Sequence, residues 1–296
     1  MQPLVSVLMI THNHAPFITR SIESVLSQQT SFGVELVIGE DASTDSTKEI
    51  IQSFSSQYPE KIFTVHHDKN IGMGRNFFDT LSRCRGKYIA LLDGDDRWIN
   101  DKKLQIQADF LEQNRNVVAC GGNSISESNK KAKGYLVKWM KSLIPVKMEE
   151  YDREEMIISN RFRTLTVLAR TDAFKLTEKE IINSPVLDWP LFISLTNNNI
   201  LNKYVNLPHY FGAYNVHDGG VFSGSSFTSR LKSSLQAREA ISAITHDRYL
   251  GWHFPVCSLA NREHYNEELL KRHYKELFLN DPEIYLNDDV FAIMKK

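Results

Sequence analysis

The sequence predicts an α/β protein in which helices flank a mostly parallel sheet, with a helical appendage at its C-terminal end. Over the first 125 residues, the short apolar runs "LVSVLMI", "VELVIGE", "IFTVHH" and "YIALL" alternate with segments whose apolar residues recur at helical spacing. This alternation is typical of parallel strands joined by crossover helices. Beyond about residue 226, apolar residues keep the helical spacing without further strand-like runs.

The four runs are each followed by a polar loop and then a helical segment. Ile18, Ile22 and Val25 follow the first loop at helical spacing, and Pro16 suits the first turn of that helix. The loops "THNHA", "DASTDS", "DKNIGMG" and "DGDD" all lie at the carboxyl ends of the predicted strands. Ligands of open α/β sheets bind at that edge, so we expect the loops to converge on one site.

Composition excludes several classes of protein. Lys and Arg number 35 against 36 Asp and Glu, so no overall basic field attracts nucleic acid. The three cysteines Cys84, Cys120 and Cys257 have no metal-type spacing, and their odd number argues against a disulfide framework. No apolar run approaches the roughly 18 residues of a membrane span, and the N-terminus lacks a basic leader. We therefore expect a cytoplasmic protein.

The stretch "KYIALLDGDDRW" places three carboxylates directly after a buried strand. Acids this close repel one another unless a cation lies among them, and Mg²⁺ or Mn²⁺ prefers carboxylate oxygens together with substrate phosphates. Asp is also common in turns, where it binds loop amides or caps a helix. We assign Asp96 to such a turn, and Asp93 and Asp95 to a site for a metal ion and a diphosphate.

Five segments in order resemble the family 2 glycosyltransferases, which have the A-type nucleotide-sugar fold, a Rossmann-like α/β architecture. The resemblance covers residues 4 to about 224. Each segment alone is a weak signal, whereas five in this order are a strong one. The segments are "VSVLMITHNHAPFITRSIESVLSQ", "VELVIGEDASTDST", "NIGMGRNFFDTLSRCRGKYIALLDGDDRW", "DWPLFISL" and "YNVHDGGVFSG".

The resemblance assigns roles to the loop residues. It makes Asp93-Gly94-Asp95 the Asp-X-Asp element, with Asp95 on the metal ion that bridges the donor's diphosphate and Asp93 near the ribose. It also implies that Thr11 to His14 and Asp41 hold the base, usually uracil. Many relatives carry Arg or Glu in the first loop, where this chain has His12 and His14. The predicted nucleotide-sugar ligands are Thr11, Asn13, His14, Asp41, Arg75, Asn76, Asp93 and Gly94.

Residue chemistry agrees with some of these roles and leaves others open. The Asp41 carboxylate could accept a hydrogen bond from the imide N–H of uracil, although "DASTDST" also reads as a turn with Asp45 or Ser46 capping the next helix. The glycines of "NIGMGRN" suit close approach of a phosphate or ribose to Arg75 and Asn76. The alternative is a solvated helix start.

Two residues later in the chain complete the predicted site. In the family, an acid just before a helix removes the proton of the acceptor hydroxyl; here Leu187-Asp188 stands where relatives have Glu-Asp, so Asp188 is the predicted general base. The alternative is that Asp188 only caps the helix. His217, in a glycine-rich loop, resembles the His that completes the metal shell, which makes Asp93, Asp95 and His217 the predicted metal ligands.

The combined prediction is a metal-dependent, inverting hexosyl- or acetylhexosaminyl-transferase. It would use Mn²⁺ or Mg²⁺ to move a sugar from a nucleotide donor, UDP by family habit, to a hydroxyl of a glycan or lipid-linked saccharide in polysaccharide biosynthesis. A sugar nucleotidyltransferase is an alternative, but it needs a glycine-rich loop after the first strand, and "THNHA" has no glycine. A catalytically inactive glycan-binding or scaffold protein would lack the acids that are present here.

The predicted domains are a catalytic domain, residues 1–225, and a helical extension, residues 226–296. The catalytic domain divides into a nucleotide-sugar half, about 1–125, and an acceptor half, about 126–225. The lysine-rich segment 128–150 is a solvated surface, a lid over the acceptor, or a patch for peripheral contact with the inner face of the membrane. The helical stripes after residue 226 pack on their own domain, or else support oligomers or membrane contact.

Overall fold

A mixed nine-stranded sheet forms the centre of the chain in the part that the structure covers. The structure is a computed structural model that describes residues 2–127, 146–175, 181–196, 203–217, 219–220 and 227–245. The strands are β1 Val5–Thr11, β2 Val34–Glu40, β3 Ile62–His66, β4 Tyr88–Asp93, β5 Arg97–Trp98, β6 Val117–Glu127, β7 Glu149–Tyr151, β8 Leu168–Arg170 and β9 Lys203–Asn215.

Seven α-helices and two 3₁₀ turns are present in the same residues. The helices are α1 Ile18–Leu26, α2 Thr47–Gln57, α3 Met73–Arg83, α4 Lys103–Gln113, α5 Arg153–Ile158, α6 Asp188–Ser194 and α7 Phe227–Thr245. The 3₁₀ turns are Thr164–Thr166 and Thr171–Lys175. An α/β sheet flanked by helices is therefore confirmed.

The sheet consists of two parallel blocks joined by one short antiparallel strand. The strand order is β3-β2-β1-β4-β8-β6-β9-β5, and β7 also pairs with β9. Neighbours in the block β3-β2-β1-β4 are parallel, as are β6 and β9. Strand β8 runs antiparallel to both β4 and β6, and so connects the blocks. Strands β5 and β7 pair antiparallel with β9.

Alternating side chains of the strands feed two apolar cores on opposite faces of the sheet. Leu8 of β1 points into a core that also contains Phe77 of α3 and residues of α6 and α7. Its neighbours Val7 and Met9 belong to the other core, which α1, α2 and α4 cover. This two-sided burial explains why the strands read as continuous apolar runs.

The segment "RFRTLTVLAR", residues 161–170, contributes only a short strand to the sheet. Only Leu168–Arg170 pairs in the sheet, and a 3₁₀ turn precedes it. The indole Nε1 of Trp98 donates to the carbonyl of Leu165 at 2.7 Å, and Gln107 Nε2 donates to that of Thr166 at 2.8 Å. Because side chains from β5 and α4 bind the carbonyls of Leu165 and Thr166, these carbonyls cannot accept hydrogen bonds from a neighbouring strand.

Helix α7 packs on the domain that precedes it. Ala237, Ile241 and Ile244 are buried in the same core as α6, and the Arg238 guanidinium lies 4.4 Å from the centre of the Trp189 ring. The part of the tail that the structure describes therefore covers its own domain, while the division at residue 225 stays a prediction. No described helix is long and apolar enough to cross a membrane. Residues 128–145 and 246–296 lie outside the described residues.

Candidate active site

The turn after β4 is held tightly against the first loop and helix. A Cβ atom on Gly94 would lie 2.6 Å from Thr11 Oγ1 and 2.9 Å from His14 Nδ1, so only glycine allows this approach. Ser21 Oγ of α1 donates to the Gly94 carbonyl at 2.9 Å. Asp96, 2% exposed, accepts from the backbone N–H of Asn215 at 2.8 Å. Asp96 thus has the structural role that the sequence indicates, with β9 as its partner.

Asp95 meets two imidazoles at the surface of this turn. Its Oδ2 atom lies 2.9 Å from Nε2 of His217 and 4.0 Å from Nε2 of His14. The His217 ring also packs on Phe17, with ring centres 4.6 Å apart. Burial lowers the pKa of His14, with the Asp95 charge acting in the opposite direction. The structure therefore brings Asp95 together with His217, which is 122 positions later in the chain.

Asp93 and Asp188 share the neighbouring part of the site. Burial raises the pKa of Asp93, and the charges of Asp95 and Asp188 raise it further. Burial also raises the pKa of Asp188, while hydrogen bonds from Thr164, the Trp189 amide and Asn160 oppose that change. The predicted general base Asp188 therefore lies close enough to Asp93 for its charge to raise the pKa of that carboxyl.

Asn13 joins the loops that follow β1 and β2. Its backbone has φ of 57°, in the left-handed region that Asn tolerates. Its backbone N–H donates to Ser43 Oγ at 2.9 Å, and its Oδ1 accepts from the Thr44 N–H at 2.8 Å. The next amide, that of His14, donates to Thr47 Oγ1 at 2.8 Å. These hydrogen bonds therefore hold the two loops together beside the Asp93–Asp96 turn.

Asp41 holds the loop that leads into α3. The residue Asp41 as a whole is 3% exposed. Its carboxylate accepts from the backbone amides of Ile71 at 2.7 Å and Gly72 at 3.0 Å. Gly72 has φ of 88°, a conformation that favours glycine. These bonds use part of the acceptor capacity of Asp41, so a contact with a base depends on the lone pairs that remain.

The other predicted donor ligands differ in accessibility. Arg75 is exposed on the first turn of α3. Asn76 is 2% exposed, and its Nδ2 donates to the Gly39 carbonyl at 3.0 Å, so this amide fastens α3 to β2. Thr11 Oγ1 and His14 Nδ1 are buried and have no hydrogen-bond partner among the described residues. Those two atoms therefore keep unused hydrogen-bonding capacity beside Gly94, whereas the Asn76 amide is already bound.

Asn160 and Thr164 are site residues that the sequence analysis missed. Asn160 Nδ2 lies 3.1 Å and Thr164 Oγ1 2.9 Å from Oδ2 of Asp188, and both donate to it. They are 28 and 24 positions away from Asp188 in the chain. No spacing rule in the sequence links either residue to Asp188, so their role becomes visible only in the structure.

The side chains around Asp95 fit a divalent cation in chemical type. Within the described ranges, no three His, Cys, Asp or Glu side chains are arranged to hold a metal ion. Asp95 and His217 offer a carboxylate and an imidazole, which suit Mn²⁺, and both would exchange their mutual hydrogen bond for bonds to the cation. Mg²⁺ and Mn²⁺ sites in such proteins take few protein ligands and leave positions for phosphate oxygens and water. Asp95 and His217 therefore match a metal site in which phosphate oxygens of the substrate and water supply the remaining ligands.

Known proteins with similar sequences include glycosyltransferases. The protein named putative teichuronic acid biosynthesis glycosyltransferase TuaG, of Bacillus subtilis, is 36% identical over 110 residues, which are 37% of this chain and 42% of TuaG. The first curated relatives match over 33% to 42% of their own length, so this chain spans well under two thirds of them.

Solved structures share the fold at low sequence identity. Staphylococcus aureus TarS 1–349 in complex with UDP-GlcNAc superposes with a TM-score of 0.59 at 18% identity, over 97% of this chain and 76% of the TarS 1–349 chain. The mannosyltransferase PcManGT of Pyrobaculum calidifontis, in complex with GDP-Man and Mn²⁺, gives 0.61 at 15% identity, over 100% of this chain and 84% of the other. These likenesses show an A-type glycosyltransferase fold.

The family model described as glycosyl transferase family 2 matches residues 6–183. The match includes the loops after β1, β2 and β4 and the residues Asn160 and Thr164, and it ends shortly before Asp188. Because the model covers more than half of the chain, and the fold described above agrees with it, the chain belongs to glycosyl transferase family 2.

Proposed function

We propose that this chain is a metal-dependent, inverting glycosyltransferase that transfers a sugar from a UDP-linked donor to a hydroxyl of a glycan or lipid-linked saccharide. The observation that supports this most directly is the convergence of Asp95 with His217 beside Asp93 and Asp188. Thr11, Asn13, His14, Asp41 and Arg75 are the remaining proposed donor contacts.

The presence of one candidate base, Asp188, supports a single displacement. The acceptor hydroxyl attacks C1 of the sugar, its proton passes to Asp188, and the C1–O bond to the diphosphate breaks as the new bond forms. Attack from the face opposite to the leaving group inverts the anomeric configuration. A bound Mn²⁺ or Mg²⁺ would stabilise the charge of the departing diphosphate. Asp95 and His217 would hold this ion, with Asp93 beside them.

The donor and acceptor classes draw on the relatives. TarS has been crystallised with UDP-GlcNAc, and PcManGT with GDP-Man and Mn²⁺. The name of TuaG refers to teichuronic acid biosynthesis, which supports a surface glycan as acceptor. We extend these properties to this chain as a proposal, together with catalysis at the cytoplasmic face of the membrane.

Removal of Asp95 should abolish the effect of the metal on donor binding. We expect Asp95→Ala to remain folded, because the carboxylate lies at the edge of the sheet, and to lose the Mn²⁺-dependent increase in UDP affinity. His217→Ala should weaken the same increase. Isothermal titration calorimetry with UDP, with and without Mn²⁺, measures both effects.

Asp109→Ala is the matched control, since Asp109 is an exposed carboxylate on α4, away from the proposed ligands. It should bind UDP and Mn²⁺ like the wild type. Unchanged metal enhancement in Asp95→Ala would contradict the metal assignment. Mn²⁺-dependent release of nucleotide from a panel of UDP-glucose, UDP-GlcNAc and GDP-mannose then identifies the donor, and no release from any nucleotide sugar would contradict the transferase mechanism.

A further inference from the structure

We infer that Asn160 and Thr164 are positioning residues that fix the Asp188 carboxylate and leave Oδ1 as the oxygen that takes the acceptor proton. This inference rests on the proposed role of Asp188 as general base. It concerns two residues outside the Asp-X-Asp turn, in the segment between α5 and β8.

The hydrogen bonds at Asp188 distinguish its two oxygens. Oδ2 accepts from both Asn160 Nδ2, at 3.1 Å, and Thr164 Oγ1, at 2.9 Å. Oδ1 accepts from the backbone N–H of Trp189 at 2.8 Å. Each carboxylate oxygen has about two lone-pair sites. Oδ2 is therefore fully occupied, and Oδ1 retains one site for a proton.

The orientation of the Asn160 amide is determined by a second contact. Its Oδ1 accepts from the backbone N–H of Phe162 at 3.1 Å. If the amide were turned by 180°, an NH₂ group would face the Phe162 N–H and a carbonyl oxygen would face the Asp188 carboxylate. Both contacts would then be repulsive, so Nδ2 must point toward Asp188.

Thr164 belongs to a turn that the core holds in place. Trp98 Nε1 donates to the carbonyl of Leu165, and Gln107 Nε2 to that of Thr166. The Thr166 hydroxyl in turn accepts from the Gly122 N–H at 3.2 Å. The turn is therefore joined to β5, α4 and β6, and a donor on such a turn can hold a carboxylate precisely.

This arrangement determines the path of the proton. As the acceptor oxygen bonds to C1 of the sugar, its proton moves to Oδ1 of Asp188, and the electron pair of the broken C1–O bond leaves with the diphosphate. Without the two donors on Oδ2, the carboxylate can rotate about its Cβ–Cγ bond, and Oδ1 is no longer held toward the acceptor. Donor binding does not depend on this rotation.

The test compares Thr164→Val with Thr164→Ser. Val keeps the shape of Thr but removes the donor, so we expect kcat to fall on the order of 10- to 100-fold, while KM for the donor and UDP affinity with Mn²⁺ stay unchanged. Ser restores the hydroxyl and should return kcat to near the wild-type value. The measurement is Mn²⁺-dependent nucleotide release from the nucleotide sugar that the panel identifies.

Thr171→Val is the control, since it removes a hydroxyl that donates to the Gly86 carbonyl at 2.7 Å on the far side of β8. In an Asp188→Asn background, Thr164→Val should cause no further loss, because both changes act on one group. If Asp188→Asn is inactive but Thr164→Val has an unchanged kcat, the positioning role is overturned while the proposed general base is retained. A fully active Asp188→Asn would instead overturn the general base itself.

Discussion

Replacement of Asp188 by Asn is expected to lower turnover by about 10²- to 10⁴-fold, the usual contribution of a general base. Asn keeps the size of Asp, and with its oxygen toward Asn160 and Thr164 it still accepts from both. The Trp189 N–H then loses its acceptor, at a cost of about 1 to 3 kcal/mol, which is less than the roughly 5 to 15 kcal/mol by which a domain is stable. The fold and the binding of the donor should therefore be retained. Nucleotide release at saturating donor and Mn²⁺ measures turnover, and thermal unfolding checks the fold.

The stereochemistry of the product gives an independent check on this mechanism. If the wild-type enzyme transfers the sugar to water by single displacement, proton NMR should show the inverted anomer of the released sugar before it equilibrates. Near-wild-type turnover by Asp188→Asn would reduce the residue to a structural role. A retained configuration would exclude single displacement, even if the proposed sugar transfer itself were observed.

Replacement of Lys103 by Met is expected to stabilise the protein. Lys103 is 0% exposed, and its Nζ has no hydrogen-bond partner among the described residues. Nζ lies 4.2 Å from the centre of the Trp98 ring, a contact that offsets only part of the cost of burying a charge. Burial lowers the pKa of Lys103 to about 7. The amine therefore opposes folding over a wide range of pH.

The sign of the pH effect follows from proton uptake on unfolding. Between the folded pKa, about 7, and the unfolded value, about 10.4, the unfolded chain binds a proton that the folded chain lacks. The penalty is thus full below pH 7, decreases as the pH rises and disappears above about 10.4. At pH 7 it reaches about 4 kcal/mol. Lys103→Met should gain up to this amount.

Urea unfolding at pH 7 and pH 9.5 measures this gain in the free energy of unfolding. The difference between Lys103→Met and the wild type should shrink at the higher pH. The exposed neighbour Lys102 provides the control, because Lys102→Met should change stability little at either pH. A Lys103→Met variant that is less stable than the wild type at pH 7 would show that the buried amine contributes favourably.

The first block of the sheet could be predicted because its signals are local. Each of β1 to β4 is a continuous apolar run followed by a polar loop and a helical stripe, and the structure has all four. The second block, which contains β6 and β9, could not be predicted in the same way, because its strands depend on contacts between residues that are far apart in the sequence. The short length of β8 depends on Trp98 and Gln107, which bind the carbonyls of the preceding turn. Short strands such as β5 and β7 leave no periodicity.

The candidate site shows the same division between local and distant signals. Asp93 and Asp95 were recognisable from their place at the end of β4, and Asp188 and His217 through the order of family motifs. Neither the burial of Asn76 nor the two hydrogen bonds from backbone amides to Asp41 could be recognised from the sequence. Both depend on how α3 and the loop before it pack against β2. Asn160 and Thr164 reach Asp188 only after the segment between α5 and β8 has folded.

Strand β8 connects the two blocks of the sheet, and the parts of the candidate site that lie in these blocks leave the ribosome at different times. Asp93 and Asp95 emerge from the ribosome with the first block, long before Asp188 on α6 and His217 after β9. Domains fold as synthesis proceeds, and contacts between distant residues form late. An early intermediate can therefore hold the acids of the turn without the imidazole or the base. We therefore expect the proposed activity to appear only after the second block has folded beside the first.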